Sequence, residues 1–225
     1  MEFIFMLTHN DRTVDNALQV LQDVSTTGLR HIGFKDVGAT PQLQRDLTKA
    51  AHEAGMTVYL EVVSVTKEDE LAAVDAAVAA GVDWIVGGTF ADEAVQRLEN
   101  TDIKFAPFPG RVVGHPSELQ GTVEEIVDHA RALTAKSGVH GVDLLAYRHR
   151  DVDPLELTRA VADAIDAPVI AAGSVVSEEQ IRGLTAAGAW GFTIGGAIFD
   201  GALPGDKDVV AQVRTALGFA RDAAA

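Results

Sequence analysis

Eight times along the 225 residues, an apolar run of strand length is followed by an amphipathic stretch of helix length. Strands separated in this way run parallel, because each helical crossover returns the chain to the same end of the sheet. Strands are expected at Phe3–Leu7, His31–Phe34, Thr57–Val62, Asp83–Val86, Ile103–Ala106, Val142–Ala146, Val169–Ala172 and Gly191–Ile194. Helices are expected from Arg12 to Val24, Pro41 to Ala54, Lys67 to Ala80, Asp92 to Glu99, Val123 to Ala135, Pro154 to Ile165, Glu178 to Ala187 and Asp206 to Arg221. Eight such units in this length predict a closed (β/α)8 barrel, the TIM barrel, as a single domain over residues 1–225. A doubly wound open sheet is the alternative arrangement of the same units. Gly28, Gly55, Gly81, Gly138 and Gly188 each precede a strand, where a left-handed residue readily ends a helix.

The fifth strand is followed by an unusually long connection, Pro107–Thr122. On the catalytic face of a barrel such a loop commonly serves as a lid or binding element. Composition narrows the partners. A net charge of −15, from 33 acidic and 18 basic side chains, disfavours nucleic acid and acidic membranes, which both need a basic face. The opening MEFIFMLTH lacks a basic segment, so no signal peptide is expected, and no apolar stretch reaches membrane-spanning length. The absence of cysteine rules out disulfides, thiolate catalysis and thiolate metal sites, and fits a cytoplasmic location. Dinucleotide, P-loop and HExxH patterns are all missing, so no cofactor is expected. A divalent metal stays open only through His9, Glu61 and His149, should the fold bring them together.

Barrel chemistry belongs to polar residues at the C-terminal ends of strands. The first strand ends in Thr8-His9-Asn10-Asp11, where Asn10 or Asp11 is expected to cap the following helix and His9 is left as a catalytic candidate. In the second strand, bulky Ile32 and Phe34 alternate with Gly33 and Lys35, so the period of two turns Lys35 inward at the mouth. A lysine there anchors an anion, stabilises an enolate, forms a Schiff base, or pairs structurally with Glu61. Glu61 shares a strand face with Tyr59, opposite Val58, Leu60 and Val62, and reads as general base or as the counter-charge of Lys35. The fourth strand ends in Gly87-Gly88-Thr89, a tight turn or a close backbone approach. Arg111 and His115 in the long loop are candidates to clamp an anion and to act as acid or base. Tyr147 and Arg148 after the sixth strand are candidates to grip a polar ligand, with His149 beside them a further catalytic candidate.

The most specific stretch is Pro168–Gly201. Two neighbouring strands there end in small-residue turns, Gly173-Ser174 and Gly195-Gly196, whose bare amides can face an anion. Loops after the seventh and eighth strands of a barrel often hold phosphate. The pieces AAGSVVSEEQIRGLTAAGA and FTIGGAIFDG resemble the ribulose-phosphate-binding barrels. That group includes the phosphoribosyl-formimino isomerase of histidine biosynthesis, N-acylmannosamine-6-phosphate epimerase, and the hexulose-phosphate synthases and keto-gulonate-phosphate decarboxylases. The resemblance implies phosphate binding by Gly173, Ser174, Gly195 and Gly196. It departs from the decarboxylases, whose D-x-K-x-x-D signature is replaced by YLEVVSV, and from aldolase relatives, whose sixth-strand lysine has no match near Arg148. The histidine-pathway isomerase has an aspartate at the end of its first strand, where this chain reads Thr8-His9-Asn10-Asp11. FIFMLTHND and IGFKD also resemble an uncharacterised barrel group sometimes labelled 4-hydroxythreonine-4-phosphate dehydrogenase, an activity for which no nicotinamide or metal pattern is present.

The residues together point to an enzyme that abstracts a proton beside a carbonyl of a small phosphorylated, sugar-like substrate. Isomerisation, epimerisation and C–C cleavage share that intermediate. The alternative is a non-catalytic barrel that binds a phosphorylated metabolite as sensor or scaffold. A homo-oligomer is expected on general grounds only.

Overall fold

In the computed structural model, residues 1–224 are described. Eight parallel strands form the sheet: β1 (Glu2–Met6), β2 (His31–Lys35), β3 (Thr57–Val62), β4 (Trp84–Gly87), β5 (Lys104–Ala106), β6 (Val142–Leu144), β7 (Val169–Ala171) and β8 (Gly191–Ile194). Their spatial order is β6-β7-β8-β1-β2-β3-β4-β5. The two outer strands meet through His140 N–H to the Phe105 carbonyl (2.7 Å) and Asp143 N–H to the Pro107 carbonyl (3.0 Å). The sheet is therefore a barrel, and the open-sheet alternative does not apply.

Between the strands lie α1 (Ala17–Val24), α2 (Pro41–Glu53), α3 (Lys67–Ala80), α4 (Ala91–Leu98), α5 (Val123–Thr134), α6 (Pro154–Ala162), α7 (Glu178–Ala186), the short α8 (Gly196–Phe199) and α9 (Val209–Ala223). Side-chain caps set most starts: Thr40, Thr66, Asp153, Ser177 and Asp208 each accept from backbone N–H groups of the first turn. Thr122 and Glu125 form a reciprocal capping box on α5. The five glycines expected to stop helices all have positive φ. No helix among the described residues is long and apolar enough to cross a membrane.

The alternation of each strand sorts the core into two layers. Ile32, Phe34, Val58, Leu60, Ile85 and Phe192 pack outward against the helices. Ile4, Met6, Tyr59, Trp84, Val86, Ala106 and Ile170 fill the barrel. Toward the N-terminal end, Tyr59 stacks on Trp84 at 5.8 Å and Trp84 on Trp190 at 6.4 Å. His31 ties this aromatic floor to the chain start, with Nδ1 3.1 Å from the Tyr59 hydroxyl and Nε2 3.0 Å from Glu2. An aromatic layer thus lies across the N-terminal end of the barrel.

Two ribbons on that face depart from the sequence reading. The first helix, expected from Arg12, starts at Ala17, and its N-cap position is Asn16 rather than Asn10 or Asp11. Residues 8–9 pair antiparallel with 12–13 instead. Asn10 and Asp11, at φ 49° and 61°, form the turn between them, since short polar side chains tolerate the left-handed region that such hairpins require. Thr13 locks this ribbon to β2, donating its hydroxyl to the Lys35 carbonyl (2.8 Å) and accepting from the Lys35 N–H (2.9 Å). The long loop after β5 is a second ribbon, Arg111–Val113 against Glu118–Gln120. The sixth strand, expected to Ala146, stops at Leu144 and passes into a 3-10 turn, Ala146–Arg148. Ile170 is fully buried inside the barrel, so Ile170→Ala is expected to destabilise folding by about 2–5 kcal/mol. Urea denaturation should show the midpoint falling at unchanged slope; a midpoint within error of the parent would contradict this packing.

Candidate active site

A cavity of about 200 Å³ sits in the mouth of the barrel. Lys35 and Glu61 project into it from β2 and β3, where strand register places them side by side. Each residue is only 5% exposed. Lys35 Nζ lies 3.5 Å from Glu61 Oε2 and hydrogen-bonds to Asp11 Oδ1. Asp11 reaches this position because the left-handed turn of the first ribbon folds it back over the mouth. Arg148 closes the cluster from the 3-10 turn after β6, with Nη1 and Nη2 each 3.1 Å from the two Asp11 oxygens. A guanidinium fork matched to one carboxylate fixes both partners in orientation.

Burial opposes the charge on Lys35, yet Glu61 and Asp11 outweigh it and raise the ammonium above its ordinary value. Lys35 is therefore a fixed cation here, suited to stabilising developing negative charge and unsuited to act as a free-amine nucleophile. Burial likewise works against Asp11, but its hydrogen bond to Arg148 and the Lys35 charge hold its carboxyl well below the usual range. Glu61 goes the other way: burial pushes it up against the pull of Lys35.

A third carboxyl, Asp143, was not singled out from the sequence. It stands in register with Ile170, an interior residue, and so faces into the barrel. It is fully buried and neither oxygen has a hydrogen-bond partner. Burial, and then the Glu61 charge, push it well above the ordinary value of 3.8. The available signal was one acidic residue inside an apolar run, VDLLA, that otherwise read as a plain strand. Asp36, next to Lys35, faces the loop and accepts from the Val63 and Ser64 N–H groups, bracing the end of β3.

The turns after β7 and β8 form the opposite wall. Gly173, Ser174, Gly195 and Gly196 all line the cavity that holds Lys35 and Glu61. Their N–H groups find no backbone acceptor among the described residues. Ser174 has φ 58°. Arg148 lies directly over the first turn: a Cβ on Gly173 would come 2.6 Å from Arg148 Nε. That nitrogen is buried without a partner, an unmet donor beside unmet amides.

Other sequence candidates fall outside this cavity. His9 is on the rim, its Nε2 2.9 Å from Asp200, with its ring 3.8 Å from where a Gly196 Cβ would stand. His149 engages backbone through both nitrogens, Nε2 to the Gly121 carbonyl at 2.8 Å and Nδ1 from the Asp151 N–H at 3.2 Å, so it anchors the second ribbon. Arg111 is on the exposed edge of that ribbon, in an outer cleft with His149. His115, at the ribbon tip, has Nδ1 3.9 Å from Asp11. Tyr147 borders the mouth from outside with Arg148 and Ser174. His9, Glu61 and His149 do not converge, and no group of three or more metal-ligating side chains is assembled among the described residues.

No family model matches the chain. Over 139 residues it is 34% identical to a phosphoribosyl-(phosphoribosylamino)methylideneamino-imidazole-carboxamide isomerase of Alkalilimnicola ehrlichii, a match covering 55% of each chain. A shorter match, 50% identical over 56 residues, is to the isomerase of the same description from Methanothrix thermoacetophila, covering 25% of this chain and 23% of that one. The matches thus span about half or less of the length of these curated relatives. Among solved structures, the orotidine 5'-phosphate decarboxylase of Pyrococcus horikoshii superposes with a TM-score of 0.69 at 12% identity, covering 97% of this chain and 99% of that one. The native KDPGal structure gives 0.70 at 17%, covering 100% and 96%. The N-acetylmannosamine-6-phosphate 2-epimerase of Clostridium perfringens gives 0.62 at 13%, covering 87% and 86%. The chain is a (β/α)8 barrel that resembles the ribulose-phosphate-binding superfamily, in sequence over the segments matched to the two isomerases and in fold along its length.

Proposed function

We propose that this barrel is an enzyme of the isomerase, epimerase or lyase kind that abstracts a proton beside a carbonyl of a small phosphorylated substrate. The observation that carries the reading is one cavity with two opposed walls. Bare amides after β7 and β8 offer a seat for a phosphate, and the buried Lys35–Glu61 pair faces it. The phosphate would take the N–H groups of Gly173, Ser174, Gly195 and Gly196, with Arg148 Nε as a further donor. Its negative charge is met by peptide dipoles and one guanidinium, which offset the repulsion of a chain carrying −15 overall. A cavity of about 200 Å³ limits the rest of the substrate to a few carbons.

Within that seat, Glu61 takes the proton from the carbon next to the carbonyl. Its raised pKa makes it a stronger base than an exposed glutamate, as general-base catalysis near neutral pH needs. Lys35 is the electrophile, its ammonium donating to the carbonyl oxygen as charge develops there. Asp143, next to Glu61 in the low-dielectric interior, stays neutral, since two neighbouring buried carboxyls do not both ionise readily. Reprotonation of the same carbon from the opposite face gives the epimer. Delivery of the proton to the former carbonyl carbon, with the neighbouring hydroxyl proton passing to the other oxygen, gives the isomer. A lyase reaches the same enolate by breaking the bond to the adjacent carbon. Resemblance to isomerases in sequence, and to decarboxylase and epimerase structures in fold, supports the general kind.

A sensor or scaffold would bind the same phosphate without chemistry. The two are separated by incubating the chain in D2O with a panel of pentose and hexose phosphates and following the proton beside the carbonyl by NMR. Catalysed exchange is expected for at least one compound. Lys35→Ala and Glu61→Gln should each slow it by about 10²–10⁴-fold while phosphate binding persists. Binding without exchange in the parent chain would leave the non-catalytic reading standing.

The protonation states have a thermodynamic consequence. Because the Asp143 carboxyl is raised by burial and by Glu61, the folded chain keeps a proton that the unfolded chain releases above about pH 4. This stabilising contribution is complete below that pH and is lost as pH rises toward the folded-state value. Asp143→Asn removes it, so the variant's urea midpoint is expected to decline less steeply with rising pH than the parent's. Parallel curves for the two chains would show that Asp143 is ionised in the fold.

A further inference from the structure

Two threonine hydroxyls in the central cavity are unused by the fold. Thr193 projects from β8 in register with Ile4, an interior residue, and so faces into the barrel. Thr8 opens the first ribbon just past β1, two residues after the interior Met6. Each threonine is 6% exposed, and both line the cavity that holds Lys35 and Glu61. Thr13 and Thr158, also buried, donate to the Lys35 and Pro154 carbonyls, whereas neither Thr8 nor Thr193 makes a side-chain hydrogen bond among the described residues. Thr8 Oγ1 stands against the turn after β8, where it would collide with any Cβ on Gly195. Thr193 is two residues before Gly195 and so about 7 Å deeper along the same strand.

Strand order gives these hydroxyls a place in the reaction. Going round the barrel, neighbouring strands present the Gly173-Ser174 turn from β7, Thr193 and Gly195-Gly196 from β8, Thr8 from β1, Lys35 from β2 and Glu61 from β3. Both hydroxyls thus lie between the glycine turns and Lys35. Beyond Glu61 the interior wall turns apolar, with Val86 on β4 and Ala106 on β5. The polar groups therefore follow one arc of the barrel. A ligand laid along that arc covers the two hydroxyls, and a hydrocarbon there offers nothing in place of water. A ligand hydroxyl both donates and accepts, so it answers a threonine hydroxyl in either sense. Sites built in this way reject an analogue that lacks the group far more strongly than apolar pockets separate two hydrocarbons.

We infer that Thr8 and Thr193 determine specificity by holding hydroxyl groups on the carbons between the phosphate and the carbonyl, with the substrate laid along the arc from β7 to β3. This assignment rests on the phosphate seat and the Lys35–Glu61 roles proposed above.

The test is calorimetry on the parent chain, Thr8→Val, Thr193→Val and Thr193→Ser, with inorganic phosphate, ribitol 5-phosphate and pentyl phosphate as probes. The two esters match in carbon number and charge and differ in their hydroxyl groups. The parent is expected to prefer ribitol 5-phosphate by about tenfold or more, although pentyl phosphate has the more apolar chain to bury. Each valine variant should narrow that preference by about five- to tenfold while its affinity for inorganic phosphate stays within about twofold of the parent's. Thr193→Ser, which keeps the hydroxyl, should keep the preference. An unchanged preference in both valine variants would overturn the inference and leave the phosphate seat intact. Loss of inorganic phosphate binding in Thr8→Val would overturn the assignment of that hydroxyl to the carbon chain. If the parent bound none of the three compounds, the phosphate seat would fall and this assignment with it. Should the valine variants not fold, equal affinities of the parent for the two esters would overturn the inference, and a preference of about tenfold for ribitol 5-phosphate would support it.

Discussion

The site depends on one charge that the barrel has no apolar reason to contain, the ammonium of Lys35. At 5% exposure it has lost nearly all contact with water, and only the carboxylates beside it make that tolerable. Glu61 and Asp11 together supply the compensation, and Asp11 is itself held by the fork of Arg148. Because Asp11 satisfies both cations, Glu61 is left without a short hydrogen bond to Lys35, at 3.5 Å. A carboxylate in that position is buried, close to a cation and not neutralised by it. These conditions raise basicity without losing the ion that stabilises the product of proton transfer.

Backbone strain is concentrated in the same place. Among the described residues four non-glycine positions have positive φ, and three of them, Asn10, Asp11 and Ser174, are at the mouth. Each costs the fold something, and each is there because the turn it makes aims a group into the cavity. Asp11 can reach Lys35 only from the reversed turn of the first ribbon. Ser174 follows Gly173 in the left-handed region, an arrangement that points successive N–H groups into the same concavity. Arg148 joins these two strained turns, binding Asp11 on one side and covering Gly173 on the other.

Much of the architecture was readable from the chain because the barrel follows simple periodicities. The strand period of two put Ile32 and Phe34 outside and Lys35 inside, and the same rule paired Glu61 with Tyr59. The small-residue turns after β7 and β8 were readable as runs of glycine and serine, and at Gly173 and Gly195 a Cβ would collide with Arg148 and Thr8. The misses share a different cause. Asp11 read as a helix cap because His9-Asn10-Asp11 directly precedes an amphipathic run, and nothing local distinguishes a cap from a two-residue hairpin turn that shortens the helix by five residues. Asp143 was hidden because a buried neutral carboxyl has no sequence signature of its own. His149, a catalytic candidate from its place after a strand, bonds to the Gly121 carbonyl, and Arg111, a candidate anion clamp, stands in the outer cleft, so neither lines the cavity that holds Lys35. Gly87-Gly88-Thr89 left a choice between turn and close approach that distant partners resolve, the Val62 carbonyl and Phe108 ring beside Gly87 and the Glu70 carboxylate beside Gly88.

The most direct measurement is a crystal structure of the chain with ribulose 5-phosphate bound, read for the positions of the phosphorus atom and the carbonyl oxygen. The result expected is phosphorus between the Gly173-Ser174 and Gly195-Gly196 amides, with the carbonyl oxygen within hydrogen-bonding reach of Lys35 Nζ and Asp11 still on Arg148. Phosphate seated on Lys35 and Arg148 in place of the Asp11 carboxylate, with the two glycine turns empty, would contradict it.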